Sequence, residues 1–346
     1  MLIRKEKRKR EKNKNYFFDL LKTQHHFFKD LIKQLRKVKD PRHQSYITYG
    51  TETMLYTILL KNIIGIDSMR SMTLHFNTEE CIENVKTALG LDELEELPHY
   101  DTINDFLSKL EMEELENIRT YMIKALLKKR CFESYRILDK YWPIIIDGTG
   151  LHTFQEKHCE HCLRRESKDE DTGETKTIYM HHVLEAKLVV GNMVFSVASE
   201  FIEHESEDTP KQDCELNAFK RLSKKLKQTF KRLPICLLGD SLYTCGPVFD
   251  ICEQNKWKYI FRFKEKRIES IATEFQSLKT LERTKKENKT NEAFFWANDI
   301  EYNDRYLNLI EAEIKTKERT EKKKFLFITN IRITEKNVEK LLLAGR

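Results

Sequence analysis

Two aspartates follow apolar stretches that are typical of buried strands, and each lies beside a glycine. Asp147 ends the run 144–146 in "IIIDG", and Asp240 ends "LLGD". If the two strands are neighbours in one sheet, both carboxylates reach the same edge. At about 4 Å and an effective dielectric of 20 the charges would repel by roughly 4 kcal/mol, so they would share a proton or bind a divalent cation. Carboxylate oxygens suit Mg²⁺, or Mn²⁺ in its place, and open metal positions suit phosphodiester chemistry.

The same pattern is also typical of plain turns. Asp and Gly are common in turns because Asp bonds to the nearby backbone and Gly adopts unusual dihedral angles. Asp147 and Asp240 could therefore end their strands without any role in chemistry. In the metal-site interpretation, the glycines that follow Asp147 instead let DNA approach closely.

A second group of residues has the spacing of a metal site. The stretch "EKHCEHC" contains His158, and its cysteines, Cys159 and Cys162, have the Cys-x2-Cys spacing of zinc ligands. The pair His181-His182 follows, and only one of them is expected to join because adjacent strand residues face opposite sides. The predicted ligands of a possible Zn²⁺ are His158, Cys159, Cys162 and His182. The alternative is a polar hairpin tip whose histidines contact DNA phosphate or solvent.

A predicted helix from about 211 to 230 has a strongly basic side. It contains no acidic residue between 220 and 232. Such a face is often only solvated, but beside two metal-binding carboxylates it could contact the phosphate backbone of DNA. The predicted DNA-binding residues are Lys220, Arg221, Lys224, Lys225 and Lys227.

The elements that must position these residues form an α/β pattern. Three predicted strands, a helix, a strand, a short helix and a strand follow one another between 140 and 264. This β-β-β-α-β-α-β order predicts a mixed sheet with helices and differs from a doubly wound fold.

The flanking regions have other patterns. Residues 15–139 have the apolar spacing of helices, and Gly65 and Gly90 are predicted helix ends. These helices could read DNA as a helix-turn-helix or could simply pack together. Residues 265–331 are predicted to be a strand-rich insertion, and 332–346 the start of a final helix that is cut short.

Composition limits the class of protein. The segment 1–14 contains eight Lys or Arg and two Glu, and this excess equals the formal net charge of +6 for the whole chain. A basic, disordered arm on a neutral body suggests a polyanionic partner, although such a tail can also serve solubility alone. The sequence has no apolar run of membrane-spanning length, and its eight cysteines do not suggest a disulfide framework. We therefore expect a cytoplasmic protein.

The pair "IIIDGTG" and "LLGDSLY" resembles the DDE transposases of bacterial insertion sequences, the cut-and-paste group with an RNase H-like catalytic domain. "DTINDFL", "HHVLEAKLV" and "KQDCELNAFKRL" are similar to segments of the same group. The resemblance extends from about residue 45 to the end of the chain.

The resemblance implies a fold, a site and a function. In that fold the first and fourth strands lie side by side, so Asp147 and Asp240 would be the first two metal-binding acids. The third acid, a Glu, would lie beyond Arg346. The implied function is transposition with Mg²⁺: binding to terminal inverted repeats as a dimer on double-stranded DNA, then phosphodiester cleavage and strand transfer. The resemblance also implies a bacterial, nucleoid-associated protein.

Two alternative functions stay open at the level of sequence. If the third acid is missing, the chain would be a catalytically incomplete DNA-binding protein that occupies transposon ends or inhibits transposition there. An RNase H-like nuclease without strand transfer would need its third acid within the present chain.

Overall fold

The protein consists of two compact units that divide between Cys131 and Phe132. The computed structural model describes residues 16–168, 173, 175–203, 213–281, 285–287, 292–315 and 322–346. The predicted basic arm, 1–14, lies outside the described residues. The boundary lies eight residues before the predicted one at 139/140, because Ile137 pairs with Tyr141 and is buried in the core of the second unit.

The first unit, called here the helical unit, is built from helices around one apolar core. Its described helices are α1 Tyr16–Phe27, α2 Leu31–Arg36, α3 Thr51–Ile64, α4 Met69–Phe76, α5 Glu79–Leu89, α6 Tyr100–Lys109 and α7 Met112–Lys128. Helix α3 is the centre of this core, since Met54 and Tyr56 are fully buried in it.

The predicted ends of two helices are confirmed. Gly65 and Gly90 have φ angles of 78° and 63°, the left-handed conformation that glycine adopts without strain at a helix C-terminus. Thr78 caps α5, because its side chain accepts a hydrogen bond from the amide of Cys81. The apolar pattern that predicts one helix from Phe17 to Leu35 corresponds to two, α1 and α2, separated by a turn at 28–30.

The second unit, called here the sheet unit, contains one mixed sheet with helices. Its described strands are β1 Trp142–Phe154, β2 Leu163–Lys168, β3 Thr175–Val190, β4 Met193–Ile202, β5 Ile235–Gly239, β6 Lys258–Arg262, β7 Lys285–Glu287, β8 Ala293–Tyr302, β9 Arg305–Lys315 and β10 Lys322–Thr329. Its described helices are α8 Glu215–Thr229, α9 Gly246–Asn255, α10 Glu269–Leu281 and α11 Val338–Gly345. The predicted class, helices followed by a mixed α/β sheet, is confirmed.

The strand order of the sheet is β2-β3-β1-β5-β6-β10-β9-β8-β7, and β4 also pairs with β3. Strand β1 is antiparallel to β3 and parallel to β5, and β5 is parallel to β6. Strand β2 and helix α10 were not predicted from the sequence. The predicted insertion is not a separate layer, because β10 pairs with β6 and so continues the same sheet.

The centre of the sheet is apolar on both sides of β5. Leu237 has no exposed surface, and Trp142, Ile144 and Ile146 of β1 are almost completely buried. All four residues 235–238 of β5 are buried, as in a parallel strand covered on both faces, whereas Ile145 of β1 is exposed. No helix in the described ranges could span a membrane, since none there is both long and apolar enough.

An ion cluster joins α10 to the β9–β10 pair. Glu311 of β9 is fully buried and contacts the ammonium groups of Lys279 on α10 and Lys324 on β10; the Lys324 distance is 2.8 Å. Lys279 also lies over the ring of Phe295, 4.3 Å from its centroid. A buried carboxylate with two cations fixes α10 on the sheet, a contact that the polar sequence of 265–323 does not reveal.

Replacing Glu311 with alanine should lower the free energy of unfolding. We expect a loss of about 2 to 3 kcal/mol, below the ~3–5 kcal/mol of a fully buried pair, because both lysines can reach solvent. Urea unfolding measures the change. Glu301→Ala on the exposed side of β8 is the control and should change stability by no more than about 0.5 kcal/mol. Equal stabilities of the two variants would contradict the role of Glu311.

Candidate functional site

The register of β1 and β5 brings the two predicted aspartates to one edge of the sheet. Ile145 of β1 is opposite Leu238 of β5 in a parallel pair. Extending the same register by two residues places Asp147 opposite Asp240, which directly follows β5. Both side chains are exposed, which leaves their oxygens accessible from solvent.

The structure also tests whether these aspartates only cap turns. Asp240 does cap the short turn Ser241–Tyr243, because its Oδ1 accepts a hydrogen bond of 2.7 Å from the amide of Leu242. The side chain of Asp147 has no hydrogen bond or ion pair within the described part of the chain. The turn interpretation thus accounts for one oxygen of Asp240, while the carboxylate of Asp147 is available for a ligand.

A third carboxylate, Glu215, lies next to this pair. The phenol of Tyr243, a buried side chain, donates a hydrogen bond to Glu215 Oε1. Burial raises the pKa of Tyr243 far above its usual range, and the charges of Glu215, Asp240 and Asp147 raise it further. The phenol is therefore a permanent donor within electrostatic reach of all three acids, which we call the carboxylate site.

Glu215 is the member of the carboxylate site that sequence reasoning missed. It is the first residue of α8, and an acid in a first helical turn is ordinarily explained by the helix dipole. The one sequence feature that pointed to Glu215 was its position in "KQDCELNAFKRL", a segment that resembles transposases.

Two glycines next to the aspartates make room for neighbouring side chains. A Cβ at Gly148 would lie 2.9 Å from Glu215 Oε2, and one at Gly239 would lie 2.8 Å from the ring of Tyr243. A Cβ at Gly150 would lie 3.4 Å from Nε2 of His182, so this glycine faces the imidazole ring. These glycines thus admit protein groups, whereas the sequence interpretation assigned those after Asp147 to close approach of DNA.

The basic side of α8 is partly neutralised by acids from other elements. Arg221 bonds to Glu200 of β4 and to Asp213, each at 2.6 Å, and Lys225 lies 2.7 Å from Glu200. Lys227 donates to the carbonyl oxygen of Asn255. Three of the five predicted DNA-binding residues therefore have intramolecular partners. These partners lie outside 220–232, so the absence of acids from that segment gave no sign of them.

The two remaining members of that set are Lys220 and Lys224. Both are exposed on α8, and neither ammonium group has a hydrogen bond or ion pair with another described residue. Their spacing of four residues places them on one face of the helix. They are the cations of α8 that are available to an external anion.

The helical unit contains a separate lysine-lined groove of about 890 Å³ between α1, α2 and α7. The lysines that line it are Lys29, Lys37, Lys124, Lys128 and Lys129, against two acids, Asp30 and Glu114. An excess of lysines around a groove of this size favours a polyanionic ligand.

The Cys-His motif folds into a compact cluster, but with a different histidine from the predicted one. The ligand atoms of Cys159, Cys162 and His181 all lie within 4.8 Å of one another. His182 points instead towards Gly150, because neighbouring residues of β3 face opposite sides. His158 is stacked on Phe154, close to the cluster but outside its tightest part. We call Cys159, Cys162 and His181 the Cys-His cluster.

The helical unit also matches a known protein family. The model of the DDE_Tnp_1-associated domain matches residues 32–122, which include α3 to α6. The match points to the DDE transposase family. A search of curated proteins found no significant match.

The close contact at Gly239 allows a test of the wall of the carboxylate site. Gly239→Ala should lower the free energy of unfolding by about 1 to 3 kcal/mol, because the added methyl group overpacks against the buried ring of Tyr243. Gly246→Ala is the matched control, since a Cβ there meets no atom within 4 Å. Chemical denaturation of both variants measures the difference, and an unchanged stability of Gly239→Ala would contradict the packing described here.

Proposed function

We propose that this protein is a DDE transposase that cleaves and joins DNA at an insertion-sequence end with a divalent metal ion. The observation that carries the proposal is the parallel register of β1 and β5, which brings Asp147 and Asp240 together at one sheet edge. The family match within the helical unit supports it independently.

The proposed architecture of the sheet unit is RNase H-like. It is supported by the contiguous order β4-β3-β1-β5-β6, with the first three strands antiparallel and the last three parallel. Strand β1, which contains Asp147 and continues beyond it, and strand β5, which precedes Asp240, are neighbours, as the resemblance implies. Strands β7 to β10 would then be a family-specific extension of this core.

The donor set at the carboxylate site fits Mg²⁺ or Mn²⁺. Its groups are carboxylate oxygens, the ligands that these hard cations prefer, and Asp147 has no competing partner within the described residues. We propose Asp147 and Asp240 as the metal-holding residues. When bound, the metal would supply positive charge that activates the attacking hydroxyl and stabilises the leaving oxygen.

The neighbouring residues would position this donor set. Tyr243 fixes Glu215 through its hydrogen bond, and the cap from Asp240 to Leu242 fixes the orientation of that aspartate. Glu215 and Asp240 are thus each held by a side-chain or backbone hydrogen bond, the arrangement expected where a site must be preorganised, while the carboxylate of Asp147 stays open for the metal.

Duplex DNA would be held by cations of both units. In the sheet unit, Lys220 and Lys224 lie on α8, the helix that begins with Glu215. In the helical unit, the lysine-lined groove offers a second phosphate-binding surface. Contacts of this kind give affinity without sequence preference.

A nuclease that cleaves without strand transfer is the second candidate. The specific observation in its favour is Glu215, which provides a third carboxylate beside the other two. The nuclease and the transposase differ in their products, because only the transposase joins the freed 3′ end to a second DNA.

The catalytic assignment is tested with plasmid DNA that carries the sequences flanking the gene. Asp147→Asn and Asp240→Asn should each lower Mg²⁺-dependent cleavage at least about 100-fold, since each removes a charged metal ligand. Asp139→Asn is the control, because Asp139 is exposed outside the carboxylate site and asparagine tolerates its positive φ angle. Products are scored for nicking and for joining.

Each outcome of this assay has a defined meaning. Cleavage that survives in both aspartate variants would contradict the site assignment. Nicking without joining, lost in Glu215→Gln, would favour the nuclease. DNA binding by the wild-type protein with no metal-dependent cleavage would contradict the catalytic proposal and favour a binding-only protein.

The DNA-contact assignment is tested by the salt dependence of binding. In Lys220→Ala/Lys224→Ala, the slope of log affinity against log salt should decrease by about 2, with a similar loss of affinity for all sequences. The control is the double variant Lys231→Ala/Arg232→Ala, which removes the same charge. These two residues lie between the C-terminal end of α8 and the start of β5, and Asp240 follows the other end of β5. Equal slopes for the two double variants would contradict the assignment.

A further inference from the structure

We propose that the Cys-His cluster is a structural zinc site, with His158 as the fourth ligand. The site lies at the connection between β1 and β2, and neither the family match nor the proposed transposase chemistry assigns it. The proposal is independent of that chemistry.

The spacing of the three ligand atoms is that of a tetrahedral zinc site. The two sulfurs are 3.9 Å apart, and His181 Nε2 lies 3.5 Å from the sulfur of Cys159 and 3.4 Å from that of Cys162. With Zn–S bonds of ~2.3 Å and Zn–N bonds of ~2.0–2.1 Å, the edges of a regular tetrahedron are about 3.8 Å and about 3.6 Å. The protein atoms already occupy three corners of such a tetrahedron.

The backbone supports the two thiols as a pair. The amide of Cys162 donates to the carbonyl oxygen of Cys159, which closes a tight turn and keeps both sulfurs on one side. Cys162 is buried, and both cysteines are free thiols. A disulfide does not account for this geometry, because its sulfurs would be ~2.05 Å apart.

His158 is the histidine in reach of the fourth corner. Its ring stacks on Phe154 with the centroids 4.5 Å apart, and its centroid lies 6.5 Å from that of His181. His161 is turned towards the carboxylate of Glu203 instead, with Nδ1 3.5 Å from an oxygen of that side chain. A rotation of the exposed His158 side chain would add its imidazole to the site.

A zinc ion at this position would join three strands. The cysteine turn links the end of β1 to the start of β2, and His181 lies on β3 between them. Beyond Asp147, the sheet is extended by the C-terminal part of β1, the N-terminal part of β3 and strand β2. The ion would fix this extension and the path of β1 beyond Asp147.

Metal content of the full chain, purified under reducing conditions and reconstituted with zinc alone, tests the proposal. The wild-type protein should contain about one zinc per chain, and Cys159→Ser, Cys162→Ser and His181→Ala should each retain less than about a tenth of it. His182→Ala is the matched control and should keep the metal, because its ring lies on the other face of β3. His158→Ala should weaken zinc binding at least about tenfold, as the loss of even an outer-shell partner does.

Cobalt substitution separates loss of a ligand from loss of the fold. Cobalt(II) added to the wild-type and His182→Ala proteins should give the visible absorption of a thiolate-bound tetrahedral ion, and His181→Ala should not, although its far-ultraviolet circular dichroism is unchanged. A zinc content near zero in the reconstituted wild-type protein would overturn the proposal. So would loss of zinc in His182→Ala with retention in His181→Ala.

Discussion

The parallel pairing of β1 with β5 is the constraint on which the rest of the sheet unit depends. Burial of Ile144 and Ile146 fixes this pairing, because a one-residue slip of β1 would turn both isoleucines to the exposed face and Asp147 to the buried one. Once the pair is in register, the positions that follow the paired segments of the two strands must lie side by side, whatever residues occupy them. Asp147 and Asp240 occupy these positions, and Glu215 lies beside them.

The carboxylate site combines three acids with one neutral donor. Tyr243 donates a hydrogen bond to Glu215, and Asp147 and Asp240 are exposed to solvent, which screens charges at a surface. The glycines at 148 and 239 are a structural cost of the site, since they weaken the strands so that Glu215 and Tyr243 can approach. A local departure of this kind within a well-packed sheet is typical of a position selected for binding rather than for stability.

Much of this organisation could be predicted from the sequence, and the failures have physical reasons. Apolar runs ending in acids predicted the placement of Asp147 and Asp240, and helix stops at glycines were confirmed at Gly65 and Gly90. Partners distant in sequence were not predictable, which is why the acids that neutralise Arg221 and the pairing of β10 with β6 were missed. The choice between His181 and His182 depends on which face of β3 meets the cysteine turn. Side-chain alternation shows that the two histidines lie on opposite faces, but it does not say which face that is.

The pairing of β6 with β10 has a consequence for how this protein can be divided. A fragment that ended near Phe263 would contain every strand of the proposed catalytic core, yet β6 would be left with an open edge whose central residues, 259–261, are almost fully buried in the intact sheet. Open edges of this kind recruit strands from other molecules. The later part of the chain therefore covers an edge of the core that would otherwise be open to pairing with another molecule.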